Sequence, residues 1–188
     1  MIHEVKIESL AAKEFLVIKG VGKIYDPDII NPDEGNDATW EVIRRQLADG
    51  SAERLKKAAD SETVYMLFCY TCARSDEEKC WVCSYDIACE NRSGGTSGEF
   101  ETVRLKACDY AVYDCRFDSE VKLPEAHDAP DKLFWGDWLK RNPYICAIDY
   151  PDKYSGNGYA QIELYTPFDI DSGKFNLKIW YPLIPVSG

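Results

Sequence analysis

The chain has 188 residues, 45% of them hydrophobic and 13% aromatic, enough to bury a core as one domain or as two joined halves. A net charge of −11 repels nucleic-acid phosphates, and the most basic stretch, RRQLADGSAERLKK, reads as the outer face of a helix. No apolar run approaches the roughly 18 residues of a membrane span, and MIHEVKIESL lacks the basic start and apolar stretch of a signal peptide, so a cytoplasmic, reducing setting is expected.

In chain order, a strand is expected near 3–20. A helical region follows at about 38–59, with Trp40, Ile43 and Leu47 at helical spacing, Asp37 as N-cap and Gly50 as a break before SAERLKKAA. Strands near 62–73 and 79–90 complete this first unit. They carry two Cys-x-x-Cys pairs, Cys69 with Cys72 and Cys80 with Cys83, a spacing that raises a zinc site. Only ARSDEEK separates the pairs, however, and it reads as a hairpin turn around Asp76 that sets Cys69 against Cys83 and Cys72 against Cys80. Regular strands would point Cys69 and Cys72 to opposite faces, and no Gly or Pro marks a metal knuckle. Reduced cysteines serving as small strand residues are the preferred reading, with no metal; zinc on Cys69, Cys72, Cys80 and Cys83 is the alternative.

The glycine-rich NRSGGTSGE, residues 91–99, is a flexible connection, and it lacks the Gly-Lys-Ser/Thr ending of a phosphate loop. A strand is expected through FETVRLKACDYAVYDCRF, then a short helix through DKLFWGDWLKR, begun by Pro130 and ended by Asn142-Pro143. Strands follow at about 159–167 and 174–184, with Pro182 and Pro185 in an edge or exit position.

Sliding the sequence by 95 positions lays Leu10 on Leu105, Ala12 on Ala107, Phe15 on Tyr110 and Val17 on Val112. The same offset lays Asp33 on Asp128, Trp40 on Trp135 and Tyr70-Thr71 on Tyr165-Thr166. The expectation is an α+β fold of duplicated β-α-β-β units with antiparallel sheets, repeat one at about 3–90 and repeat two at about 100–186. The natural ligand cleft lies between the two pseudo-symmetric halves.

The strand GYAQIELYTP places Gln161, Glu163 and Tyr165 on one side and Ile162 and Leu164 on the other, the latter pair expected to face the helices. At the repeat offset Glu163 falls on Phe68, and Trp180 falls on Tyr85. A carboxylate has replaced a ring in one copy only, which is the asymmetry a ligand site needs. Candidate walls around Glu163 are Phe68, Tyr113, Trp138, Tyr165 and Trp180, though each ring singly also fits ordinary core packing.

Taken in order, DYAVYDCRF, PEAHDAPDKLFWGDWLKRNPY, GYAQIELYTPFDI and FNLKIWYPLIP resemble the GyrI-like small-molecule-binding domain, which is also the effector-binding half of AraC-type and MerR-type multidrug regulators. The resemblance is strongest over 101–186 and implies one such domain across 1–188. It further implies a bulky hydrophobic or cationic aromatic ligand beside a glutamate in an aromatic pocket, with Glu163 matching that glutamate and Trp138 the helix tryptophan. No helix-turn-helix accompanies the repeats, so a stand-alone binder without direct nucleic-acid contact is expected, needing no cofactor.

Three functions follow in order of preference. The first is binding, in which aromatic faces attract a cation and one buried carboxylate pairs with it. The second is a hydrolase of reactive cyclopropane-containing compounds, with Glu163 as general base and Tyr113 as its hydroxyl partner. The third is an acidic inhibitor of gyrase type acting through surface charge. His3 reads as a strand-end residue and His127 as a loop residue before the helix, so a Cys-His nucleophile finds little support.

Overall fold

The computed structural model describes residues 5–25, 41, 43–77, 80–149, 158–169 and 172–186; for 23–25, 69–75, 81, 123, 124 and 149 it describes the backbone alone. His3, Asp33, Asp37 and Trp40, and the side chains of Cys69 and Cys72, lie outside what is described.

Among the described residues ten strands form one sheet: β1 (Lys6–Leu10), β2 (Lys13–Ile18), β3 (Val21–Tyr25), β4 (Tyr65–Ser75), β5 (Cys80–Glu90), β6 (Glu101–Leu105), β7 (Cys108–Cys115), β8 (Tyr144–Cys146), β9 (Gln161–Thr166) and β10 (Asn176–Pro185). Their order is β1-β7-β10-β9-β4-β5-β2-β6, with β3 added to β5 and β8 to β10. The two halves meet edge to edge at β4 and β9, where Met66 lies opposite Glu163. Outward from that seam the order reads the same in both directions, β5 and β10, then β2 and β7, then β6 and β1.

Each single strand expected at the start of a half is broken. Residues 3–20 hold β1 and the whole of β2, and residues 100–117 hold β6 and β7. Residues 11–12 and 106–107 link strands near opposite ends of the sheet. A two-residue link spans at most roughly 11 Å, so the sheet must curl until its two ends approach. The curl makes two apolar layers. Its enclosed side buries Phe15, Val17, Leu67, Leu105, Tyr110, Val112, Ile162 and Trp180. Its other side buries Leu16, Met66, Tyr85, Tyr113, Tyr165, Ile179 and Tyr181 beneath Leu55 and Ala59 of α1 (Ser51–Ala59) and Ala126 of α2 (Leu123–Leu133). Each such side chain contributes roughly 1.5–3 kcal/mol by leaving water.

This arrangement reverses one expectation about β9. Glu163 and Tyr165 face the helices, while Ile162 faces the enclosed side. Alternation alone could not choose the face, because the curl supplies an apolar environment on both. Trp180 is a second correction. Phe68 pairs with Tyr85 in the first hairpin, but Glu163 pairs with Ile179 in the second. The offset has dropped by one residue between β9 and β10, and a slip of one turns every side chain to the opposite face. The positional equivalent of Tyr85 is therefore Ile179, and that of Trp180 is Asp86.

The second-half helix begins before Pro130, not at it. α2 runs Leu123–Leu133 with Pro130 inside, passes into a π-helical turn at Phe134–Trp138, and closes at Leu139–Arg141. Pro130 removes one backbone donor, but Ala126 and Phe134 on the buried face keep the helix on the sheet. In the first half the break expected at Gly50 is present, in the left-handed region at φ 77°. The cysteine hairpin is also offset: Cys69 lies opposite Ser84 and Tyr70 opposite Cys83, with a register shift before Arg74. Cys80 and Cys83 are buried, and among the described residues no group of three or more His, Cys, Asp and Glu side chains is placed to hold a metal. Among them, too, no helix is long and apolar enough to cross a membrane.

Candidate functional site

Glu163 stands in the middle of the sheet, between Met66 on β4 and Ile179 on β10, and is 2% exposed. A carboxylate at this depth is costly unless its oxygens are hydrogen-bonded. Three neutral side chains do this. Tyr85 Oη donates to Oε2 at 2.5 Å, Tyr165 Oη donates to the same oxygen at 2.7 Å, and Gln161 Nε2 donates to Oε1 at 2.7 Å. Burial, and then the charge of Glu163 itself, hold both phenols well above the ordinary tyrosine range, so they remain donors.

Strand periodicity explains two of the three. Gln161, Glu163 and Tyr165 are successive residues on one face of β9. Tyr85 comes from the other half and leans diagonally across β4. Its backbone is pinned by Gly20: Tyr85 N donates to the Gly20 carbonyl at 3.2 Å, and Gly20 N donates to Asp86 Oδ1 at 3.1 Å. A Cβ on Gly20 would fall 2.1 Å from the Tyr85 carbonyl oxygen, so only glycine permits this approach.

The helix side of the site is ionisable. His127 on α2 sets Nε2 at 2.8 Å from Tyr165 Oη and 3.6 Å from Glu163 Oε2. Tyr165 has one proton and gives it to Glu163, so His127 Nε2 carries a hydrogen and donates to the phenol. One helical turn on, Asp131 accepts a hydrogen bond from Tyr181 Oη. Burial pushes the Asp131 carboxyl above its ordinary range; the nearby charge of Glu163 adds to this, while His127 and Tyr181 oppose it. Tyr181 stacks on Phe134 with ring centroids 4.1 Å apart. The polar line therefore runs Gln161, Glu163, Tyr85 and Tyr165, His127, and then Asp131 with Tyr181.

The residues singled out in the sequence fall into three groups. Tyr165 touches Glu163, and Phe68 lies edge-on to Tyr85 at 6.1 Å, one ring removed from the carboxylate. Tyr113 and Trp138 belong to the neighbouring aromatic layer: Tyr113 is edge-on to Tyr181 at 5.8 Å, and Trp138 stacks on Phe134 at 5.9 Å and Tyr144 at 6.0 Å. Tyr113 pairs with Ile179 and so stands two strands from Glu163, roughly 10 Å away at the backbone. Its hydroxyl is buried with no hydrogen-bond partner among the described residues, so a hydrolytic pair of Glu163 and Tyr113 is not assembled. Trp180 lies on the enclosed side, where Nε1 donates to Glu8 at 3.1 Å and Lys178 Nζ sits 4.5 Å from the ring centroid.

Five residues were not singled out: Tyr85, Gln161, His127, Asp131 and Tyr181. Gln161 was legible from its spacing to Glu163. His127 and Asp131 share a helix face at a spacing of four, a signal hidden once Pro130 is taken as the helix start.

No family model and no curated protein matches the sequence. Solved structures do match, along nearly the whole chain. SAV2435 bound to tetraphenylphosphonium superposes with a TM-score of 0.62 at 17% identity, covering 97% of this chain and 94% of that one. The fold is GyrI-like. A putative transcription regulation protein of Staphylococcus aureus MU50 gives 0.54 at 18% identity, covering 96% of this chain and 97% of its own. The C-terminal domain of EcmrR gives 0.52 at 12% identity, covering 97% and 98%. At these identities the likeness speaks to the fold, and the site must be argued from its own residues.

Proposed function

We propose that this protein binds bulky aromatic cations, with Glu163 as the counter-ion and Phe68, Tyr85 and Tyr165 as the rings beside it. The observation that carries this reading is a fully buried carboxylate whose hydrogen-bond partners are all neutral. Among the described residues no Lys or Arg pairs with it, and the one basic group nearby is His127. A buried negative charge with no permanent cation is a place for one that arrives from outside, and ring faces add roughly 0.5–2 kcal/mol each to such a contact. The neighbour SAV2435, bound to a phosphonium cation, supports the ligand class by analogy of fold.

His127 stands between Glu163 and the helix surface, its side chain 18% exposed, so a ligand that reaches the carboxylate displaces it. Trp138 and Tyr113 would then serve as a second aromatic layer, not as direct partners of the charge. The matched strand order on either side of the seam also supports reading the chain as one duplicated unit within a single domain. Such a protein would act as a multidrug-type effector binder in the cytoplasm.

The test is titration calorimetry with tetraphenylphosphonium on the wild type and on Glu163→Gln. The substitution keeps the shape and removes the charge. Affinity should fall at least about tenfold, equivalent to about 1.4 kcal/mol. Equal affinity in the two proteins would remove Glu163 from the role of counter-ion.

A further inference from the structure

Glu163 can be neutralised by a cation from outside or by a proton on His127, and the two exclude each other, an inference that rests on the binding reading above. His127 sets Nε2 at 3.6 Å from Glu163 Oε2 and 2.8 Å from Tyr165 Oη. The hydrogen on Nε2 is committed to that phenol, so a second proton enters at Nδ1 and leaves the contact in place. The ring then carries a full positive charge beside a carboxylate that is 2% exposed. The imidazole itself is 18% exposed, so its proton has a way to water that the carboxylate lacks.

The other titratable groups around His127 offer no equivalent exchange. Tyr165 of β9 faces it, with Tyr85 of β5 behind at 3.2 Å, and burial holds both phenols well above the ordinary range. Tyr181 of β10 is raised in the same way. From β7, which packs on α2, Cys115 has its thiol pushed up by burial to about 11, and the Tyr113 phenol is raised as well. Asp128 on α2 and Asp137 in the π-helical turn are exposed and paired with Lys132 and Arg141. A histidine ordinarily changes charge between roughly pH 5 and pH 8, whereas these phenols and this thiol stay neutral there. Asp131, raised by burial, is the one buried group whose titration could be mistaken for that of His127.

A permanent cation at Glu163 and an imidazolium 3.6 Å from the same carboxylate repel each other where little water screens them. Binding therefore favours the neutral ring, whether the imidazole swings aside or stays. We propose that the site exchanges a proton for its ligand: His127 releases the Nδ1 proton to water as the cation takes over Glu163. The N–H electron pair stays on Nδ1, and one positive charge enters as one leaves. By linkage, affinity falls as pH drops, by at most about tenfold per pH unit. Protonated His127 is a built-in competitor that closes the site in acid and opens it near neutral pH.

Tetraphenylphosphonium has no titratable group, so any pH dependence of its binding belongs to the protein. Calorimetry at about pH 6 in phosphate and in bis-tris, whose protonation enthalpies differ, counts the protons released. The wild type should release at least about 0.3 proton per ligand and bind at least about threefold more weakly at about pH 5.5 than at about pH 8. His127→Gln keeps an N–H for Tyr165 but cannot gain a charge, so both effects should vanish. Asp131→Asn should keep both. His3 and His127 are the two histidines of the chain, so ring-carbon NMR follows His127 in the wild type with no substitution. Adding the ligand at about pH 6 should move its signal toward the neutral form.

No proton release from a wild type that binds, or release that survives in folded His127→Gln, overturns the exchange and leaves the counter-ion role standing. Release that is lost in Asp131→Asn assigns the proton to Asp131 and overturns it too. If His127→Gln does not fold, the NMR signal decides, and one that stays still or moves toward the charged form overturns the exchange. If the wild type binds at no pH in this range, the binding reading falls for this ligand and the exchange falls with it.

Discussion

The bond between Tyr85 and Glu163 joins the two halves of the chain, and its strength can be measured without any ligand. Tyr85 is 8% exposed and Glu163 2% exposed, so water cannot replace a hydroxyl that is taken away. A hydrogen bond to a charged group contributes roughly 1.5–3 kcal/mol, against about 1 kcal/mol for a neutral one. Tyr85→Phe should therefore cost about 2 kcal/mol, since Tyr165 and Gln161 still hold the carboxylate. For a chain of this length each kcal/mol moves the melting temperature by about 2–4 °C, so Tm should drop by roughly 4–8 °C. In a Glu163→Gln background the amide oxygen still accepts from the phenol, but the bond is neutral and its loss should cost about 1 kcal/mol. Urea denaturation of the wild type, both single variants and the double variant, followed by tryptophan fluorescence, gives a coupling energy of about 1 kcal/mol. A coupling of zero, or a single-variant cost below about 0.5 kcal/mol, would refute a charge-assisted bond at this position.

Two further outcomes separate the faces and the charges of the sheet. Asp131 has its carboxyl raised above the usual 3.8 by burial, so as pH climbs past that value the unfolded chain loses its proton first and the native state is progressively penalised. Asp131→Asn removes the titration and can still accept from Tyr181, so its stability relative to wild type should improve between pH 4 and pH 7.5 in urea melts; a gap that is constant or moves the other way contradicts the assigned direction. Trp180 packs on the enclosed side, away from Glu163. Trp180→Phe should lower stability by roughly 1–2 kcal/mol yet leave tetraphenylphosphonium affinity within about twofold, whereas a large affinity loss would place the indole in the site.

Most strands and the α+β class were legible because turn residues and alternation are local. Glu163 was legible because a carboxylate replaced Phe68 at a fixed offset. What the sequence concealed has three physical sources. The first is the curl: with apolar layers on both sides of the sheet, alternation in QIELYT identifies two faces without saying which meets the helices. The second is a one-residue change in hairpin length, which the constant offset passed over and which turned Trp180 away while bringing Tyr85 in. The third is Pro130, whose helix-breaking chemistry outweighed the periodicity of His127, Asp131 and Phe134 on either side of it.

The same slip explains why a sheet that reads alike from both sides holds one buried carboxylate cage at its centre. Glu163 and Phe68 are equivalent positions, and so are Tyr85 and Ile179. A carboxylate at 68 would have Ile179, not a phenol, at the diagonal position from which Tyr85 reaches Glu163, and Met66 in place of Gln161 along its strand. Two acids flanking the seam would also repel each other across the low-dielectric centre of the sheet. The first half supplies one phenol, Tyr85, and the second supplies the acid with Gln161 and Tyr165, so the full donor set at Glu163 needs both halves. Under the proposed counter-ion role, binding at Glu163 would depend on the β4–β9 seam, because Tyr85 and Glu163 come from opposite sides of it.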